Sequence, residues 1–327
     1  MIIIKDKFTS PAFNLALEEY LFKTVQQNCF MLWQNDKSII VGKNQNTLSE
    51  INHDYVTKNN IPVIRRITGG GAVYHDLGNI NYTFVEINGA ENFLNYGRYT
   101  WPILSALRQL GVNAELSGRN DIEIDGKKIS GNAQHAYKGR IMHHGTLLYD
   151  TQTDVLADAL MANELKVQSK GVKSVKSRVT NISSHMEKKI PVKEFIDFLI
   201  HVIKEETGES CVQYELQTSD ISAANELLAN KYSTWMWNYG NSPPYTHRKE
   251  AYIHSGYLDV RLDVKDGFIK DCKVYGDFFG TKDIGSVECT LLGVRHNLES
   301  MRQALMGIDI SSSISGICLD EFLALLI

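Results

Sequence analysis

The chain has 327 residues, 43% of them hydrophobic and 22% charged, with a formal net charge of −4. That length and balance suit a chain that buries a sizeable core as two domains, and the mild acidity runs against a general nucleic-acid footprint. No apolar stretch is long enough to span a bilayer, and Lys5, Asp6 and Lys7 interrupt the first apolar run, so neither a membrane segment nor a signal peptide is expected.

In chain order, Ser10-Pro11 followed by Phe13, Ala16, Leu17, Tyr20 and Leu21 predicts a capped amphipathic helix. Short strands are expected at 31–33, 39–41, 63–67 and 81–85. The third of these runs into Arg65-Arg66-Ile67-Thr68-Gly69-Gly70-Gly71-Ala72-Val73-Tyr74-His75-Asp76. Three glycines expose bare backbone amides with wide φ/ψ freedom, and an arginine fork beside them suits a phosphate or a carboxylate. A tight β-turn is the plainer alternative, but His75, Asp76, Asn79 and Asn81 crowd the segment with groups that a turn does not need. No G-x-x-x-x-G-K-[ST] occurs and no G-x-G-x-x-G opens a helix, so a Walker or Rossmann cradle is not expected.

A helix is expected at 101–110, ended by Gly111. Asp125-Gly126 then marks a two-residue hairpin, pairing Ile124 with Lys127, Glu123 with Lys128, Ile122 with Ile129 and Asp121 with Ser130. In that register Lys128 falls on the polar face with Asp121, Glu123 and Ser130, while Lys127 falls at the apolar tip. A surface ion pair between Lys128 and Glu123 is the alternative role. Strand signal resumes at 146–149 and helical signal at 191–206. The run from Lys166 to Asn181 is basic, with small residues between its lysines, and reads as a mobile loop or a solvated face. Pro243-Pro244 reads as a linker between 1–243 and 247–327. Beyond it, 257–264 alternates, Asp266-Gly267 turns, 268–275 returns and helical runs close the chain. The mixture is α+β. Cys29, Cys211, Cys272, Cys289 and Cys318 are dispersed without metal spacing and read as reduced thiols of a cytoplasmic protein.

The glycine loop, the Gly118-Arg119-Asn120-Asp121 element, Lys127-Lys128-Ile129-Ser130-Gly131-Asn132-Ala133 and Met142-His143-His144-Gly145-Thr146 together resemble the signature set of lipoate–protein ligases. The resemblance continues through 170–181 and Trp235-Met236-Trp237-Asn238, in family order along nearly the whole chain. It implies a mixed sheet flanked by helices, related to biotin ligases, with a small α/β C-terminal domain. It also implies a two-step reaction: lipoate and ATP, with Mg²⁺, give lipoyl-AMP, and the ε-amine of an acceptor lysine then displaces AMP. By the same resemblance Lys128 is the catalytic lysine. Trp33, Arg66, Thr68, Gly70, Gly71, His75 and His144 would contact lipoate, with Arg66 favoured over Arg65. Gly69, Gly70, Gly71, Ala72, Val73, Tyr74, Asn79, Asn120, Asp121, Lys128, Ser177 and Val179 would contact the nucleotide, and Asp121 a metal ion. His135 departs from the pattern, standing where some relatives place an arginine.

The acceptors implied are the glycine-cleavage H protein and the E2 subunits of 2-oxoacid dehydrogenases. Charge and hydropathy point to no nucleic-acid or membrane partner, and a monomer is the default expectation. Two other readings remain: an octanoyl transferase working without ATP, and a non-catalytic binder of lipoyl-adenylate. Transferases of that type use a thioester-forming cysteine, and none of the five cysteines here lies within the matched motifs.

Overall fold

In a computed structural model the described residues are 1–118, 120–160, 178–207, 210–239, 246–253 and 256–327; the linker expected at Pro243-Pro244 and the lysine-rich stretch before Arg178 lie outside them. The α+β class holds. The strands are β1 (Ile2–Lys5), β2 (Cys29–Trp33), β3 (Ser38–Val41), β4 (Val63–Arg65), β5 (Val73–His75), β6 (Asn79–Glu86), β7 (Glu115–Ser117), β8 (Asp121–Ile124), β9 (Lys127–Tyr137), β10 (Arg140–Leu148) and β11 (Val212–Gln213). They are followed by β12 (His247–Ile253), β13 (Gly256–Lys265) and β14 (Phe268–Gly276). The main sheet runs β11-β1-β2-β6-β10-β9-β8-β7, and β4-β3-β5 form a small sheet of their own.

The main sheet is covered on both faces, which is why β2 is apolar at every position. Phe30 and Leu32 enter one core with Ile103 and Leu107 of the helix Tyr96–Gln109 and with Phe195 and Leu199 of the helix Val192–Glu206. Cys29, Met31 and Trp33 enter the other, against Leu17 and Leu21 of the helix Pro11–Thr24. A third core joins Leu258, Val260 and Leu262 of β13 to Val287, Leu291, Met301 and Phe322. There β12 to β14 form an antiparallel sheet backed by the last helices.

Local expectations are amended in several places. The helix at Pro11–Thr24 is not amphipathic: Asn14, Glu18 and Glu19 are buried along with its apolar residues, and Ser10 makes no side-chain cap. The second helix starts at Tyr96 rather than 101, because the Asn95 side chain accepts from Arg98 N–H and Pro102 is carried inside. The strand expected at 63–67 ends at Arg65, where the chain leaves the small sheet.

The hairpin turns at Asp125 and Gly126, both with positive φ, and pairs Ile124 with Lys127 and Glu123 with Lys128. A bulge then shifts the ladder, so that Ile122 faces Ser130 and Asp121 faces Gly131 instead of the partners expected. The shift buries both Ile129 and Ser130, while Lys127 stays exposed.

Arg65 explains why the small sheet holds its place. Its buried guanidinium donates to the carbonyls of Gly42 (2.9 Å), Gln45 (2.6 Å) and Asn238 (3.2 Å) and to the Thr47 hydroxyl (2.6 Å), while Nε donates to Trp237 O. Burial lowers its pKa to about 10, so it remains charged at neutral pH. Arg65→Lys keeps the charge and loses the fork, leaving several buried acceptors unpaired. It should lower unfolding free energy by ~3 kcal/mol, read from the urea midpoint at constant slope. A change under ~1 kcal/mol would mean that this arginine does not brace the fold.

Candidate active site

The triple glycine is not a hairpin turn. β3 pairs in parallel with β4 on one side and antiparallel with β5 on the other, so residues 66–72 must cross the C-terminal end of β3 to join the two. Gly42, just beyond β3, lies directly under the Gly70 carbonyl and leaves no room for a side chain. Arg66 sits inside this crossing. Its Nη2 donates to the carbonyls of Gly69 (2.7 Å) and Gly71 (2.8 Å), Nη1 to Ile40 O (3.2 Å), and Nε to the Thr68 hydroxyl (3.0 Å). Burial lowers its pKa to about 10, and it stays cationic. The guanidinium expected to fork an anion is thus largely engaged in shaping the loop, and adds positive potential to the cavity it lines.

A buried relay extends from the loop. The Thr68 hydroxyl lies 2.8 Å from His144 Nε2, and His144 Nδ1 lies 2.8 Å from Glu18 Oε1. Thr83 donates to the same carboxylate oxygen (2.6 Å), and Trp33 Nε1 donates to Thr83 (3.0 Å). Glu18 was absent from the residues expected at the site. The available signal was a Glu18-Glu19 pair inside the apolar run Leu15-Ala16-Leu17…Tyr20-Leu21-Phe22. Acids in an otherwise buried helix need partners.

Two cavities adjoin at this loop. The narrower, about 110 Å³, is lined by Trp33, Arg66, Gly70, Gly71, His75, Asn120 and His144 among others. The wider, about 560 Å³, is lined by Tyr74, Asn79, Asp121, Glu123, Arg178 and Val179 together with Leu156 and Leu160. Ala72, Val73, Lys128 and Thr146 line both. Lys128 Nζ pairs with Asp121 Oδ1 at 2.8 Å, so its ion pair is with Asp121 rather than the Glu123 considered from sequence. Val179 bridges to Lys128 in parallel, and Thr180 N–H donates to Lys128 O at 3.0 Å, which sets Val179 against the wider cavity.

Other expected residues fall elsewhere. Thr68 stands behind Arg66 and outside both linings. Gly69 also lies outside them, with its Cα against the Phe278 carbonyl. Asn120 lines the narrower cavity, and its amide donates to Asn132 O. Ser177 and Arg119 lie outside the described residues. His143 is a buried structural residue held by Gln134 and Asn132 beside Tyr82 and Tyr99, and burial keeps it neutral. His135 packs on Phe22 away from the lining.

No cysteine lines either cavity, and all five are unpaired. Among the described residues no group of three or more His, Cys, Asp or Glu forms a metal cage. Asp121 and Glu123 do bring hard oxygen donors to the wider cavity, a set that suits Mg²⁺ carried by phosphates.

The C-terminal module touches both the glycine loop and the 42–45 turn beneath it. Gly276 N–H donates to Asn44 O (2.7 Å), Lys43 pairs with Asp283 (2.6 Å), and the Phe279 ring lies against Gly70.

Comparison with known proteins places these features in one family. Residues 10–204 match the lipoyl protein ligase A/B catalytic domain, and 242–326 match the bacterial lipoate protein ligase C-terminus. The lipoate-protein ligase LplJ of Bacillus subtilis (strain 168) is 42% identical over 329 residues, covering 100% of this chain and 99% of that protein. Among solved structures, P. falciparum LipL1 in complex with lipoate superposes with a TM-score of 0.81 at 26% identity, over 99% of this chain and 97% of that one. A lipoate-protein ligase A bound with ATP superposes at 0.62 with 28% identity, over 73% of this chain and 98% of that one.

The crossing loop carries its own test. Gly70 has φ +93°, and a Cβ there would stand 2.9 Å from Arg66 Nη2 and 3.2 Å from the Phe279 ring, whereas one on Gly71 would meet nothing within 4 Å. A side chain at Gly70 therefore costs folding as well as ligand binding. Gly70→Ala should lose about 1–2 kcal/mol of stability, while Gly71→Ala should stay within ~0.5 kcal/mol, both by urea unfolding. Equal losses would contradict this path of the chain.

Proposed function

The chain belongs to the lipoate–protein ligase family and is an enzyme of that kind; from that premise we propose how its own residues carry the reaction. The narrower cavity takes the lipoyl chain against Trp33, Leu15 and Ile40, with its carboxylate at the wall shared with the wider cavity, which takes ATP. A lipoate carboxylate oxygen attacks the α-phosphorus and pyrophosphate leaves. An acceptor lysine amine then attacks the acyl carbon, AMP leaves, and the amine loses its proton as the amide forms. Tyr74, Asn79, Leu156, Leu160 and Val179 would hold the adenylate, with Ala72 and Val73 along its edge and Gly70 and Gly71 on the lipoyl side. Asp121, with the nucleotide's own phosphates, would hold a Mg²⁺ ion, which when bound would neutralise charge on the phosphoryl group.

One observation carries this assignment: Lys128 stands on the wall common to both cavities. From there one ammonium reaches the carboxylate, the α-phosphate and the oxyanion of the second step, and Asp121 holds it in place meanwhile. The absence of a cysteine from both linings leaves a thioester-forming transferase without its nucleophile.

We read the acceptors as lipoyl domains of H protein and E2 subunits. The unpaired thiols favour a reducing cytoplasm, and we take the enzyme as a monomer. Among the described residues no helix is long and apolar enough to cross a membrane. We divide the chain into a catalytic unit, 1–243, and an accessory unit, 247–327, on the separate core of the latter.

With lipoate, Mg-ATP and an acceptor domain, the acceptor should gain one lipoyl mass by intact-mass analysis, dependent on ATP. Lys128→Ala should slow both half-reactions by about 10²–10³, while Lys127→Ala, on an exposed side chain, should stay within about twofold. Equal behaviour of the two variants would overturn the assignment of Lys128.

A chain ending before residue 246 loses Phe278 and Phe279 from the glycine loop and Asp283 from Lys43. It should still transfer lipoyl from supplied lipoyl-AMP but form the adenylate from lipoate and ATP slowly, since that step has the most charge to organise. Full adenylation by the folded truncate would make the module a spectator.

A further inference from the structure

His75 is buried at the end of β5 and lines the narrower cavity, and its ring nitrogen Nε2, itself buried, has no hydrogen-bond partner in the protein. What that nitrogen can do depends on its proton, and the proton's position follows from two asparagines. Asn14 Nδ2 lies 2.9 Å from Phe8 O and 2.8 Å from Gln34 O. Backbone carbonyls only accept, so this atom of Asn14 is the amide nitrogen. It also lies 3.0 Å from the nearer amide atom of Asn35, which must therefore be the Asn35 oxygen. The other end of Asn35, its NH₂ group, is then the atom 3.0 Å from His75 Nδ1. Nδ1 accepts, so the single proton of the neutral ring sits on Nε2.

We infer that Asn14 and Asn35 are positioning residues that fix His75 as an Nε2–H donor aimed at an acceptor atom of the bound acyl chain. This rests on the reading that the narrower cavity holds lipoate. The inference supplies a reason for an unpartnered polar ring beside Trp33: an orphaned buried N–H costs folding free energy, which a ligand acceptor recovers on binding. The wrong tautomer would present a lone pair to that acceptor and repel it. Burial and the nearby Arg66 charge hold the ring neutral, its pKa lowered to about 3, and His144 is the other titratable group facing it.

The test reads the proton and then the ligand. Long-range ¹H–¹⁵N spectra of the full-length protein without ligand should show His75 as the Nε2–H tautomer; an Nδ1–H ring overturns the inference and leaves the ligase assignment untouched. Asn35→Asp replaces the donor facing Nδ1 with an acceptor, so Nδ1 takes a proton. At low pH the variant ring is an imidazolium that keeps Nε2–H, and lipoate should bind by calorimetry nearly as in wild type. As pH rises through the imidazolium pKa the ring keeps Nδ1–H and loses Nε2–H, and affinity should fall about tenfold between roughly pH 6 and 9, where wild type stays flat.

Damage to packing alone would weaken binding equally at every pH, and that result overturns the role. Repeating the titration with octanoate identifies the acceptor: a fall that persists assigns the carboxyl oxygen, and one that vanishes assigns the ring sulfurs. Should Asn35→Asp fail to fold, Asn35→Leu should show a mixture of both tautomers, and an unchanged pure Nε2–H ring would count against the relay.

Discussion

Everything at the site depends on one crossing. β4 and β5 flank β3 on opposite sides, so the segment between them has to pass over the end of β3, close enough that Gly42 and the Gly70 carbonyl nearly touch. A crossing so tight turns carbonyls inward with no strand to receive them, and buried carbonyls need donors. Arg66 supplies them. Its fork closes on Gly69 and Gly71 and leaves Gly70 to Val73 along the cavities. The loop's geometry and the local positive potential thus have one cause.

A charge so deeply buried needs a counterpart, and the helix Pro11–Thr24 provides one. Glu18 attracts Arg66 across the relay of His144 and Thr68, and it is nearly without solvent exposure itself. Removing either charge alone would strand the other in a low dielectric, which makes the pair mutually obligatory. Arg65, one residue earlier, faces the opposite way and binds main-chain carbonyls of the 42–45 turn and of Asn238. Two adjacent arginines therefore perform unrelated work, separated by strand alternation.

The second constraint is that activation and transfer require one cation within reach of two compartments. The hairpin meets it by placing Lys128 against both cavities, with Gly131, three residues on in the same strand, leaving room for the end of the side chain. The bulge between Ile122 and Glu123 keeps Lys128 opposite Glu123 near the tip while moving Gly131, not Ser130, opposite Asp121. The C-terminal module adds a contact on the far side of the loop, so Phe279 and Asp283 help set the shape of a pocket built from the first 150 residues.

Local chemistry was legible in the sequence. Asp125-Gly126 specified its turn because only positive-φ residues fit there, the pleat separated Lys127 from Lys128 and Arg65 from Arg66, and three glycines marked a place where backbone passes close to something. The class of fold followed from such signals, while the family and about half of the residues lining the two cavities followed from the resemblance that the motifs carry. Other features have no local signature. Glu18 went unmarked within a helix expected to be amphipathic, because its partners Thr83 and His144 stand 65 and 126 positions away. The triple glycine read equally well as a turn, since nothing within it says that β3 lies between β4 and β5. The tautomer of His75 depends on Asn35, 40 positions earlier, and on the carbonyls that orient Asn14. The sequence by itself determined which backbone shapes and which charges were available. Which buried groups face one another was decided only by the tertiary structure, because hydrogen bonds and ion pairs depend on separations of about 3 Å that chain folding alone creates.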